Sequence, residues 1–291
     1  MLVTLKLNSV ILVDSSSNFS FPYLKSLELV LVKYPGEEFL KRLLSSCHVL
    51  EDLHVEHGPD DNVTTFTVRV PSLKKLVVYT PKDVDEEAID DDHGFVIDAP
   101  SLEHLDILDH QSRFCVIENN MPKMEKADID IACFLPGKIL GSITSVKHLS
   151  LCLFSSKDAY PPSCVFFSLV RLIICTCDTE WVNLLMFLLS SSPNSRALEL
   201  EQCYTREELA CWSEPSLVPE CLLSSLENLE WENYEGTEVE KEVAVFILRN
   251  GNCLKKANIY SKFTDLRKQL EMIKELSLSP RGSRTCQLLF D

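Results

Sequence analysis

One apolar pattern recurs along the whole chain: a leucine, two residues, a second leucine, one residue, and a third apolar position. Its clearest copies are VPSLKKLVVY at 70–79 and APSLEHLDIL at 99–108. Copies begin at Leu2, Leu24, Leu50, Leu73, Leu102, Met124, Val146, Leu169, Ser195, Leu226 and Leu254, with spacings of 22 to 31 residues. The last two apolar positions of each copy are two residues apart, so in a strand they share a side, and the residues beside them face the other way.

That skeleton at that period is the signature of leucine-rich repeats. One strand cannot bury its apolar side alone, so neighbouring copies must stack. The expected fold is therefore α/β: a right-handed solenoid with a parallel sheet along its concave side.

The returning segments differ. EEFLKRLLSSCHVLEDLHV places Phe39, Leu40, Leu43 and Leu44 at helical spacing behind Glu37 and Glu38, so it reads as helix then strand. Helices are likewise expected in TEWVNLLMFLLSSSPNS, with Asp178 or Thr179 as cap, and in EVEKEVAVFILRNG, closed by Asn250 and Gly251. A further helix is expected at about 265–275, and a final edge strand in RTCQLLFD. Between Thr64 and Ile131, FTVRV, GFVID and FCVIE predict extended returns instead. The acidic stretch TPKDVDEEAIDDDHG, between two repeats, reads as a solvated loop without the ligand order of a calcium loop.

Composition narrows the chemistry. The 291 residues are 45% hydrophobic and carry 28 Lys and Arg against 44 Asp and Glu, a formal net charge of -16. This disfavours nucleic acid and anionic membranes as partners and is compatible with a basic protein surface. No apolar run approaches the roughly 18–20 residues that span a bilayer, and the opening MLVTLKLNSVILVDSSS does not read as a secretory leader. A cytoplasmic or nuclear location is expected, the 12 Cys are expected to be reduced, and the sequons at Asn18 and Asn62 to be silent.

From Trp212 onward the pattern changes. VPECLLSSLENLEWENYEGTEVEKEVAVFILRNGNCLKKANIY followed by MIKELSLSPRGSRTCQLLFD resembles the FBD domain at the C-terminus of many plant F-box proteins with leucine-rich repeats. LVTLKLNSVILVD, FPYLKSLELVLVKY, LLSSCHVLEDLHVE and VPSLKKLVVY are similar to the repeat region of that family. The resemblance implies repeats over 1–211 and an FBD-like domain over 212–291 that continues and caps the solenoid. It also implies the substrate-recognition part of a cullin-type ubiquitin-ligase adaptor. No F-box segment is recognised in the sequence, so the expected partner is an unknown protein, with the ligase adaptor only where a longer form supplies an F-box.

No catalytic, nucleotide or cofactor motif is present: C-x-x-C, H-E-x-x-H, G-x-S-x-G and the phosphate-binding G-x-x-x-x-G-K are all missing. No enzyme activity and no cofactor are expected. His54 and His57, three apart on a strand running into a turn, should point to different sides, which disfavours a metal site. Cys175 and Cys177 place two thiols on one strand face, a pattern that suits plain packing and also a soft-metal or redox pair. The expected outward set of the concave strands includes the apolar or aromatic Val77, Tyr79, Leu108 and Ile173. It also includes Cys152, Cys175 and an acidic cluster of Glu199, Glu201, Glu230 and Glu232. These apolar and acidic residues are the candidate partner-binding residues. The alternative is a small-molecule sensor holding a hormone or an inositol phosphate on the same face. The dispersal of Lys and Arg there argues against an anionic ligand.

Overall fold

Each apolar skeleton becomes a strand whose alternate residues turn inward, as period-2 patterning requires; they are half-buried in the first strand and buried in the others. The structure, a computed structural model, describes residues 1–14, 20–58, 63–80, 94–109, 114–131, 136–153, 164–203 and 211–290. The acidic stretch at 81–93 and the two sequon asparagines lie outside the described residues. The fold is mixed α/β, with parallel sheet as its main component. Two compact units are distinguished: Met1–Val146 with Leu153–Pro162, and Lys147–Cys152 with Ser163–Asp291.

In the first unit, β1 (Thr4–Asn8), β2 (Ser26–Val30), β3 (Asp52–Glu56), β5 (Lys75–Tyr79), β7 (His104–Asp109) and β9 (Lys126–Ile131) lie side by side in that order. All pairs are parallel and in register, so Leu27, Leu53, Leu76, Leu105 and Ala127 form one buried row. Leu29, Val55, Val78, Ile107 and Ile129 form a second. Burying each large aliphatic side chain contributes about 1.5–3 kcal/mol. The Ser of the Pro-Ser-Leu phrase also acts: Ser72 Oγ donates to Leu50 O (2.8 Å), tying its turn to the turn of the preceding repeat. Ser145 Oγ does the same to Met121 O (2.7 Å).

The extended returns are strands, as their β-branched and aromatic content predicts: β4 (Thr65–Arg69), β6 (Gly94–Asp98) and β8 (Phe114–Ile117). They pair with one another in a separate three-stranded parallel sheet rather than with the repeat strands. Helix α1 (Glu37–Ser45) buries Phe39, Leu40, Leu43 and Leu44 as its spacing predicts. Its Glu37 accepts from Thr64 Oγ1 (2.7 Å) and Thr65 N (3.1 Å) at the start of β4. A short helix absent from the sequence reading, α2, spans Pro136–Ser142.

In the second unit, β10 (His148–Leu153), β11 (Arg171–Cys175), β12 (Ala197–Glu201), β13 (Asn228–Tyr234), β14 (Lys256–Ser261) and β15 (Gln287–Phe290) follow in order, parallel throughout. The last strand stands at the end of that order, as expected for RTCQLLFD. The N-cap position of helix α3 (Trp181–Ser191) is Glu180, one residue after Thr179 and two after Asp178, and Asp178 Oδ1 accepts from Glu180 N (2.7 Å). The short α4 (Glu220–Ser224) was not foreseen. In α5 (Glu238–Asn250), Thr237 and Glu240 form a reciprocal capping box, and Gly251 is the C-cap. Helix α6 (Leu266–Ser277) is capped by Asp265, which accepts from Arg267 N (2.9 Å).

Candidate functional site

The two buried rows leave every other residue of each strand facing away from the core, and register decides which of these become neighbours. In the first unit Val77 lies between His54 and Asp106, and Tyr79 lies between Glu56 and Leu108. Leu108 is followed by Asp130. Tyr79 is 39% exposed, while Val77 and Leu108 are half-buried. Three of the expected apolar positions thus form one patch edged by acidic groups. Beside it, Asp106 and Asp128 are in register. Desolvation first and the Asp128 charge second push the Asp106 carboxyl above its usual range.

The second unit gathers the remaining expected residues. Ile173, Glu199, Glu230 and Asn258 stand level on β11 to β14, and two residues further on Cys175, Glu201 and Glu232 stand level. The four glutamates are half-buried. Their orientation is fixed from beneath. Trp231, between Glu230 and Glu232, is fully buried and packs edge-on against Trp181 (6.0 Å between centroids) and Tyr234 (5.1 Å). With Trp231 anchored in the core, its two neighbours have only the opposite face available. Burial first, then the charges of Glu230, Glu199 and Glu201, hold the Glu232 carboxyl above the ordinary range. Arg171 ion-pairs with Glu199 through its Nη2.

A depression of about 240 Å³ opens on this row, lined among others by Arg171, Glu199, Glu230, Lys256 and Asn258. Asn258 Oδ1 is buried there with no hydrogen-bond partner among the described residues. The volume is below the roughly 300–1,000 Å³ of small-molecule pockets and suits a single side chain. Arg171, Lys256 and Asn258, which the strand pattern also turns to this face, were not among the candidate partner-binding residues and join them here.

Two sequence expectations change. Cys152 and Cys175, placed in the outward set, are buried at 7% and 6% exposure. At the C-terminal ends of β10 and β11 the alternation stops and successive residues are covered. Their thiols meet that of Cys203, all three Sγ atoms lying within 4.8 Å of one another. His54 and His57 do part: His54 is exposed, and His57 is buried against Phe66 (5.1 Å) and Phe95 (5.9 Å).

Comparison with known proteins joins these observations. Residues 214–259, which take in β13, α5 and most of β14, match the FBD family model, and residues 2–126 match the model described as "FBD-associated F-box protein At5g56370, LRR repeats". The "Probable FBD-associated F-box protein At1g32375" of Arabidopsis thaliana is 58% identical over 294 residues, covering 100% of this chain and 69% of its own length. The chain belongs to the FBD-associated F-box protein family. Other relatives from the same plant include an "F-box/FBD/LRR-repeat protein At5g56420", 47% identical over 100% of this chain and 68% of its own. An "FBD-associated F-box protein At5g38590" is 42% identical over 98% and 69%. No solved structure matches. For an FBD-associated F-box chain the match boundaries are informative. The acidic residues Glu230 and Glu232 belong to the FBD segment, whereas Glu199 and Glu201 precede it. Among the described residues no helix is long and apolar enough to cross a membrane.

Proposed function

We propose that the chain is a non-catalytic protein-recognition module, the substrate-binding part of an F-box adaptor of a cullin-type ubiquitin ligase. In this reading the repeat strands stack as a right-handed solenoid over 1–211, and the FBD-like segment over 212–291 continues and caps it. The water-facing row of the concave sheet takes a protein partner with a basic surface. The observation that carries it is the acidic row: Glu199 level with Glu230, and Glu201 level with Glu232. Like charges directly across a sheet are destabilising, and nothing in the fold requires them at positions that point away from the core. Ile173 beside Glu199 adds an apolar contact of the kind that anchors interfaces.

The small-ligand reading gains less support, since the depression on this row is small and lined by both signs of charge. The test is binding of the whole chain to an array of Lys- and Arg-rich peptides across a salt series, beside Glu199→Gln/Glu230→Gln/Glu232→Gln. Salt-sensitive binding lost in the triple variant supports the proposal. Binding indifferent to both salt and the variant refutes it, and a thermal shift with plant hormones or inositol phosphates instead would favour the sensor.

A further inference from the structure

We propose that Cys152, Cys175, Cys177 and Cys203 form a thiolate site for Zn²⁺ that ties together the ends of three successive strands in the second unit. The parallel register assembles the four residues from three different repeats. Leu151 pairs with Ile174, which places Cys152 level with Cys175 on the next strand. Cys175 pairs with Glu201, so Cys177 and Cys203 stand level two residues further on. The Sγ atoms of Cys152, Cys175 and Cys203 lie within 4.8 Å of one another. The Cys177 thiol is within hydrogen-bonding reach of those of Cys152 and Cys203.

These thiols differ from the other buried cysteines. Cys47 and Cys221 each donate to a backbone carbonyl, Leu43 O (3.3 Å) and Leu189 O (3.2 Å), as packed thiols ordinarily do. In the cluster, sulfur meets sulfur. Around a tetrahedral Zn²⁺ with Zn–S distances of about 2.3 Å, sulfur atoms stand about 3.8 Å apart, so the Cys152, Cys175 and Cys203 set needs only a small contraction, and Cys177 turns in as the fourth ligand. Four sulfur donors with no oxygen donor among them select zinc over magnesium, calcium or manganese. Without a cation, hydrogen bonding with the thiols of Cys175, Cys177 and Cys203, and then burial, push the Cys152 thiol far up. A bound Zn²⁺ reverses that preference. Each coordinating thiol then releases its proton to solvent, and the completed site keeps a double negative charge.

The surroundings suit that chemistry. Cys152, Cys175 and Cys177 are buried, while Cys203 is exposed and supplies the entry path. Gln202, next to Cys203, is buried, and its Nε2 has no hydrogen-bond partner among the described residues, leaving an N–H donor for a thiolate sulfur. Its Oε1 accepts from Lys262 Nζ (3.3 Å), whose ammonium also pairs with Glu235 (2.5 Å), so the Gln202 amide is held in place from the far side of the site.

The test is metal content and spectroscopy of the whole chain, purified under anaerobic conditions with a phosphine reductant. Elemental analysis after zinc reconstitution and desalting should find one Zn²⁺ per chain. Replacement by Co²⁺ should give sulfur-to-cobalt charge-transfer bands and the intense visible bands of tetrahedral coordination. Cys175→Ser/Cys203→Ser should lose both signals, and Cys253→Ser, outside the cluster, should keep both. Since Cys203 is exposed, Cys203→Ser alone provides a variant that folds even if the double variant does not, and it should weaken zinc binding by more than ~100-fold. A chelator should lower the melting temperature of the parent chain and leave the double variant unchanged. Substoichiometric zinc in the reconstituted parent, or cobalt spectra identical in parent and Cys203→Ser, would overturn the proposal. So would a disulfide within the cluster that survives the reductant in intact-mass analysis.

Discussion

Neutralising Glu232 should stabilise the protein, and the size of the gain can be worked out beforehand. Its carboxyl is partly desolvated and faces three others, with separations from about 5 Å across neighbouring strands to about 8 Å on the diagonal. In water, unit charges 5 Å apart repel by about 0.8 kcal/mol, and a Debye length of ~8 Å at physiological salt halves this. The three repulsions together reach ~0.8 kcal/mol at physiological salt and roughly twice that near 10 mM. Part of this persists in the unfolded chain, and the exposed edges of the row are screened, so ~0.5 kcal/mol is the expected net gain of Glu232→Gln at physiological salt. At roughly 2–4 °C per kcal/mol, that is a rise of 1–2 °C in melting temperature, larger in low salt. The sign with pH follows from the raised pKa. Between the unfolded and folded values the native state binds more protons, so stability falls as pH rises, and the full cost of the charge is present above the folded value. Scanning calorimetry of parent and variant at pH 7 and near pH 4, each at two salt concentrations, measures this. The advantage of the variant should shrink towards zero near pH 4. A variant less stable than the parent at pH 7 in low salt would show that Glu232 does not face the other acids as described.

The other expectations concern stability. Leu105→Asp places a carboxylate between Leu76 and Ala127 in a buried row and should cost roughly 3–5 kcal/mol; an unchanged urea midpoint would show that the register is wrong. Gly94→Ala puts a Cβ 2.3 Å from the Phe114 carbonyl oxygen in the three-stranded sheet and should cost about 1–3 kcal/mol, read by the same denaturant titration. Glu240→Ala removes the acceptor for the backbone N–H groups of Glu235 (3.1 Å) and Thr237 (3.0 Å). It should cost about 1–2 kcal/mol, with Glu240→Gln recovering most of the loss in thermal melts.

The strands and the acidic row were legible in the sequence for one reason: a repeat with a fixed skeleton carries its own register. Once Leu198 and Leu229 are aligned, Glu199 must stand beside Glu230, whatever the loops do. Elements without a period were not legible. Helices α2 and α4 run for 7 and 5 residues, too short to show a helical face. The returns at β4, β6 and β8 announced themselves as strands by composition, but composition does not say that they pair with one another. The cysteines show the boundary most clearly. Cys175 and Cys177 attract notice as a pair two residues apart, while Cys152 and Cys203 lie 23 and 28 residues from Cys175 and share no motif with it. Alternation assigned Cys152 and Cys175 to the outer face, and it failed where β10 and β11 end, because there consecutive residues are covered. A strand pattern predicts one face only while another strand lies flat against each of its sides. Where the chain leaves the sheet, side chains of opposite parity converge, and a site made of strand ends can be read only by stacking the repeats and following them past their last paired residue.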